Sequence, residues 1–224
     1  MYPFLKRVFD ILASGLALVV LIPIWLIAII GIELSDPGPI FYMANRVGKD
    51  NKSFRMFKFR SMRVDKNANE KSFKADINRI FKWGEILRST KIDELPQLLN
   101  VFVGHMSVIG PRPASVDQAS ITRGGKYASI SKLKPGLSGP SALYDYIYGD
   151  QIEDEREYEE KVLPTRLDLD LYYIQVKSAG YDIKMILDTI FCIFCLISKK
   201  FPQNMYDELI AAAKTISTGG KGNY

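Results

Sequence analysis

A pair of carboxylates, Asp93 and Glu94, stands just ahead of Pro96 in the run from Arg88 to Pro113. An apolar stretch follows, and then the turn Gly110-Pro111-Arg112-Pro113. Proline has no backbone N–H, so Pro96 belongs in the first turn of any helix that contains it. The spacing therefore predicts a helix that starts near Ile92 or Asp93 and runs to about Val103, closed by Gly104. Both acids would then lie at the positive end of the helix dipole, which favours their ionised forms. Successive residues on a helix point about 100° apart, so the two carboxylates cannot share one task. One can attack or accept a proton while the other holds a metal. The competing reading is structural: Thr90-x-x-Asp93 is a capping box and both acids merely serve the dipole. Arg112, fixed between two prolines, presents a guanidinium suited to bidentate contact with phosphate or uracil.

The elements that must position these residues begin with an uncharged run, Ile11–Ile32, which as a straight helix would reach roughly 33 Å, enough to cross a bilayer. It is long and lacks the cleavage pattern of a signal peptide. Pro23 near its middle predicts a bend. Lys6 and Arg7 precede the run, and Arg46, Lys49, Lys52 and Arg55 follow it, so both flanks carry the charge that collects on the cytoplasmic side. A helix that enters, bends and returns to the same face satisfies both. Next, Ile40–Arg46 and Ser53–Arg60 flank a Gly/Asp/Asn turn and read as a β-hairpin. Alternation puts Lys58 and Arg60 on one face, where they could meet phosphate together or simply be solvated. Residues 64–75 read as an exposed loop or short helix. Asp76–Arg88 has helical spacing and delivers Arg88 close to Asp93. Glycine and proline are dense from Gly104 to Gly149. Glu153–Lys161 reads as a solvated acidic helix, and Asp182–Ile197 as an amphipathic helix suited to lie in a membrane interface. A short helix is predicted after Pro202, followed by a flexible tail.

Composition narrows the partners. Lys and Arg number 30 against 25 Asp and Glu, for a net charge of +5 and a pI near 9.0. That excess suits an anionic membrane surface or phosphate substrates. No dense basic run with interleaved aromatics is present, which argues against nucleic acid. The two cysteines, Cys192 and Cys195, have no second pair for zinc and read as small apolar residues on a lipid- or core-facing helix.

Asp93-Glu94-Leu95-Pro96-Gln97-Leu98, with Gly104-x-Met106-Ser107-x-x-Gly110-Pro111-Arg112-Pro113, resembles the signature of the bacterial sugar transferases, the monotopic polyprenol-phosphate phosphoglycosyl transferases. Matching segments, including Lys58-Phe-Arg60-Ser-Met62 and Lys134-Pro-Gly-Leu-Ser-Gly139, extend from the apolar N-terminal stretch to about Thr189. The chain departs from the family pattern at Ile22 (Ser-Pro is usual there), Ala44 (usually glutamine) and His105 (usually aspartate). It departs again at Tyr144–Tyr146, near which a basic residue is expected.

The resemblance implies an α+β fold with a re-entrant membrane helix over 1–34. A catalytic domain over 35–200 would carry the hairpin packed on helices together with interfacial amphipathic helices, and a C-terminal helix and tail would occupy 201–224. It implies transfer of a sugar-1-phosphate from a nucleotide sugar, taken as a UDP-sugar, to polyprenol phosphate, at the cytoplasmic face of a bacterial inner membrane. Asp93 would be the nucleophile. Glu94, with Asp93, would hold Mg2+. Lys58, Arg60, Arg88, Pro111, Arg112, Pro113, Lys134 and Asp170 would contact substrate. A homodimer is one open arrangement. The alternative from another class is an inactive membrane-anchored scaffold of the same fold, for which the changes at His105 and Tyr144 speak.

Overall fold

The computed structural model describes residues 2–64 and 77–219. Among the described residues, ten helices and five short strands alternate in a mixed α+β arrangement. The helices are α1 (Tyr2–Val20), α2 (Ile22–Ser35), α3 (Lys82–Ser89), α4 (Gln97–Val103), α5 (Ala119–Thr122), α6 (Pro140–Ile147), α7 (Glu155–Glu157), α8 (Leu163–Val176), α9 (Ala179–Ile197) and α10 (Gln203–Ser217). The strands are β1 (Phe41–Val47), β2 (Ser53–Phe59), β3 (Ser107–Ile109), β4 (Ala114–Ser115) and β5 (Gly136–Ser138). The predicted loop over 64–75 falls, from residue 65 on, outside the described residues, as does the end of the tail.

The apolar N-terminal stretch is two helices bent by 59°. The break falls at Leu21, just before Pro23, which cannot donate to the preceding turn and so ends α1's hydrogen-bond ladder. Among the described residues no single helix is long and apolar enough to cross a membrane, whereas this bent pair together meets both conditions. One side of α1 is tied to the body. Arg7 donates to the carbonyls of Val101 (2.7 Å) and Phe102 (2.8 Å) at the C-terminus of α4, where a cation meets the negative end of the dipole. The buried carboxylate of Asp10 accepts from Ser107 Oγ (3.1 Å) and from the backbone N–H of Val108 (3.0 Å) on β3. Lys6 and Tyr2 both donate to Asp182 at the start of α9. The other side leaves Leu12, Leu16, Val19, Leu26, Ile27, Ile30 and Leu34 exposed. Apolar area of that extent marks a surface that something other than water covers.

β1 and β2 form the expected hairpin, pairing antiparallel from Phe41↔Phe59 to Val47↔Ser53, and β4 adds to the far edge of β1. β3 and β5 pair in parallel beneath the Gly110–Pro113 turn. A core of Leu143, Ile147, Leu169, Tyr173, Met185 and Leu209 joins α6, α8, α9 and α10. Cys192 and Cys195 face inward and are buried. On the outside of α9, Ile183, Leu187, Ile190, Phe191, Phe194 and Ile197 form an exposed apolar stripe.

Two local expectations are corrected. The helix expected over 76–88 is shortened to α3, because Ile80 forms a β-bridge with Met62 and Phe81 is extended. The single helix expected from Ile92 to Val103 is split into a 3-10 turn, Ile92–Glu94, and α4, with Pro96 as the N-cap between them. Gly104 does end it, at φ 94°, a left-handed conformation that favours glycine. The acidic stretch before α8 winds into a π-turn, Tyr158–Val162, immediately ahead of Pro164, and buries Tyr158 and Val162 while its glutamates face solvent.

Candidate active site

The 3-10 turn that carries Asp93 and Glu94 is launched by Lys91, a non-glycine residue held at φ 57°. Thr90 donates its hydroxyl to Ile86 O (2.6 Å), and the turn has no side-chain cap. The capping-box reading of Thr90-x-x-Asp93 therefore fails. Both acids are buried, at 4% and 9% exposure, and a buried carboxylate must find partners or lose its charge.

Glu94 finds them. Lys58 on β2 donates to Oε1 at 2.9 Å, and the hydroxyl of Tyr146 on α6 donates to Oε2 at 2.8 Å. Burial alone would raise its pKa, but Lys58, Arg112 and Lys91 hold the carboxyl well below the usual range. Asp93 differs. Its Oδ1 is buried without a hydrogen-bond partner among the described residues. Burial raises its pKa, and the charge of Glu94 adds to this against the opposing pull of Lys58, Arg88 and Lys91. The dipole argument, which treated the two acids alike, is corrected by this contrast.

Arg112 lies opposite. Its Nε is 2.7 Å from Asp145 Oδ2, and its guanidinium is 5.8 Å from the Tyr146 ring centre. Asp145 is shared with Arg166 (3.5 Å) and accepts from Tyr158 (2.8 Å). The turn itself is braced from behind. Asp170 accepts from the Arg112 N–H (3.2 Å) and from Ser141 Oγ (2.5 Å), and Arg123 donates to the Arg112 carbonyl (2.6 Å). Pro111 O accepts from the Gly136 N–H on β5 (2.8 Å). A cavity opens among Lys58, Glu94, Gln97, Arg112, Pro113 and Asp145.

Of the expected residues, Lys58, Glu94, Arg112 and Pro113 line the cavity. Asp93 is buried beside Glu94 and outside that lining, with the charges of Lys58 and Arg88 acting on it. The structure does not bring Arg60 there. That guanidinium bonds Asp36 and the carbonyl of Pro39 (2.5 Å), because β2 ends at Phe59 and the side chain folds back onto the segment leaving α2. The expectation that Arg60 shares a phosphate with Lys58 is corrected accordingly. Lys134 does not line the cavity and sits instead by Gly104, next to Arg7. Asp170 acts from behind the turn and not in the cavity.

Sequence reasoning missed Lys91, Gln97, Asp145, Tyr146, Asp150 and Arg166. One signal was present: Tyr144-Asp145-Tyr146 sits in a short segment otherwise apolar, and polar groups there must be partnered. His105 is exposed, its ring 5.8 Å from that of Phe54, and takes no part in the site.

A buried carboxylate pair, one member hydrogen-bonded on both oxygens and the other with an oxygen left unpartnered, thus stands among lysine and arginine side chains. The chain belongs to the bacterial sugar transferase family, whose model matches residues 1–195. It is 37% identical over 192 residues to the UDP-glucose:undecaprenyl-phosphate glucose-1-phosphate transferase of Klebsiella pneumoniae, a match covering 83% of this chain and 39% of that one. It is 36% identical to the UDP-N-acetylgalactosamine-undecaprenyl-phosphate N-acetylgalactosaminephosphotransferase of Aeromonas hydrophila, covering 84% and 43%. It is also 36% identical to the exopolysaccharide production protein PSS of Rhizobium leguminosarum bv. phaseoli, covering 83% and 93%. The chain therefore spans about two fifths of the first two relatives and nearly all of the third.

Proposed function

We propose that the protein transfers a sugar-1-phosphate from a UDP-sugar to a polyprenol phosphate, in the manner named for its relatives, at the cytoplasmic face of a bacterial membrane. The observation that carries this reading is the division between the two acids. Glu94 is committed on both oxygens to Lys58 and Tyr146, whereas Asp93 keeps an oxygen without a partner. Asp93 attacks the β-phosphorus of the donor, a P–O bond to the carboxylate forms, and the bond to the bridging oxygen breaks to release UMP. An oxygen of the lipid phosphate then attacks the same phosphorus and frees Asp93. Two anions that would repel in one encounter are handled in turn. Arg112, Lys58 and Arg88 offset the charge on the phosphoryl oxygens.

The donor set suits Mg2+, which needs only one or two protein carboxylates and takes its remaining ligands from water and substrate phosphates. Asp93 and Glu94 would hold it, and when bound it would neutralise the diphosphate. Among the described residues no larger cluster of acids or histidines offers an alternative metal cage. The bent α1–α2 pair and the apolar stripe of α9 support a re-entrant anchor with α9 in the interface. Nothing at His105 favours the inactive-scaffold reading, because that residue lies outside the site.

The test is order of release. Purified protein given UDP-sugars in turn should release about one equivalent of UMP before lipid is added. Mass spectrometry should then find a sugar-phosphate on the peptide bearing Asp93. UMP seen only with polyprenol phosphate present, and intersecting initial-rate plots, would replace this scheme with direct transfer.

A further inference from the structure

Position 146 falls near where the family resemblance leads one to expect a basic residue, and here it is tyrosine. The side chain is 4% exposed, and its hydroxyl donates to Glu94 Oε2 at 2.8 Å. The ammonium of Lys91 lies 4.0 Å from the centre of its ring, and the Arg112 guanidinium lies 5.8 Å away. Lys91 is fixed in turn, donating to Asp150 at 2.6 Å from a left-handed backbone that a lysine rarely adopts. Lys91 is also two residues before Asp93, so its conformation and the ring it covers bear on the same turn.

Each carboxylate oxygen has two lone pairs. Lys58 and Tyr146 take one each, which fixes the plane of Glu94 and leaves the others for a cation. A neutral hydroxyl does this without placing another full positive charge in direct contact with the carboxylate, where Lys58 already sits. We propose that Tyr146, held by Lys91, is a positioning residue that orients Glu94 for metal and diphosphate in place of a basic side chain. This rests on the transfer reading above, but it can be tested apart from turnover.

Calorimetric titration with UDP, in Mg2+ and in EDTA, of wild type, Tyr146→Phe, Glu94→Gln and the double variant decides it. Tyr146→Phe keeps the ring and loses the hydroxyl. It should weaken Mg2+-dependent UDP binding about ten-fold, as loss of groups that orient metal ligands does. UDP binding in EDTA should be unchanged. Added to Glu94→Gln, it should cause no further loss, because the bond it removes acts through Glu94. Lys91→Met, which leaves the hydroxyl in place, should weaken Mg2+-dependent binding in the same direction but less. A full additional loss in the Glu94→Gln background, or an equal weakening in EDTA, overturns the proposal. If the wild type binds UDP yet releases UMP from no UDP-sugar, the transfer reading fails while the binding cycle still decides the role of Tyr146.

Discussion

Asp93 and Glu94 are consecutive in the chain and feel the same lysines, but Glu94 is hydrogen-bonded on both oxygens while an Asp93 oxygen is left without a partner, and their variants should separate. Only an ionised carboxylate attacks phosphorus, and the pKa of Asp93 is raised by burial. Activity should therefore decline on acidification from a higher pH than an ordinary carboxylate, near 4, would give. A pH–rate profile of UMP release that stays flat down to the usual carboxylate range would exclude Asp93 as nucleophile. Linkage gives a companion result. The folded chain holds the Asp93 proton more tightly than the unfolded chain, so this group costs stability at neutral pH, and the cost shrinks as pH falls through the raised pKa. Asp93→Asn should thus abolish transfer and trap no adduct, yet unfold at a higher temperature than wild type at pH 7.5 in EDTA. The difference should close toward pH 4. Glu94→Gln should instead act mainly on the Mg2+ requirement, since it removes charge from a hard-cation oxygen site. Equal losses with unchanged Mg2+ dependence would refute that split.

At the scale of elements, α1 is more than an anchor, because its polar residues cap and brace the body. Arg7 satisfies two carbonyls at the end of α4. Replacing it with methionine removes a charged helix-end interaction of roughly 1 kcal/mol, read as a lower unfolding temperature in detergent. Gly104 sits at the same joint. Gly104→Ala would force a side chain into a left-handed backbone at a cost of about 1–3 kcal/mol, and its Cβ would come within 3.0 Å of the Arg7 guanidinium. The two changes share a partner, so their costs should not add. Strict additivity would mean that Arg7 and Gly104 are not coupled through the end of α4. The α2–α3 contact is tighter still, since a Cβ on Gly31 would lie 2.2 Å from the Trp83 ring. Gly31→Leu should pry α2 from the body and lower the unfolding temperature more than either change at the α4 joint.

At the scale of the molecule, the bent helix pair and the α9 stripe offer apolar surface, while Lys6, Arg7 and Arg60 tie both ends of the pair to one body. On the proposed re-entrant reading, both ends of the pair lie on the same side of the membrane. Single cysteines replacing Tyr2 and Asp50 should therefore both react, or both be shielded, with an impermeant thiol reagent in intact cells. Labelling of only one would mean that the segment spans the membrane.

Period and composition alone determined the bent apolar entry, the Ile40–Arg60 hairpin and the closure at Gly104, because proline, glycine and strand alternation act through local sterics. Adjacency raised Asp93 and Glu94 as a possible pair beside Arg88 and Arg112, and the family resemblance, not local pattern, chose the catalytic reading over a capping box. Tertiary structure decided what each group does. Lys58 and Arg60 share a strand face in sequence, yet the end of β2 sends one to Glu94 and the other to Asp36. The partners Tyr146, Asp145 and Lys91 come from segments whose proximity no local pattern encodes. The opposite pKa shifts of the two acids arise from burial and from cations brought in across the fold, quantities that exist only once the chain has closed around them.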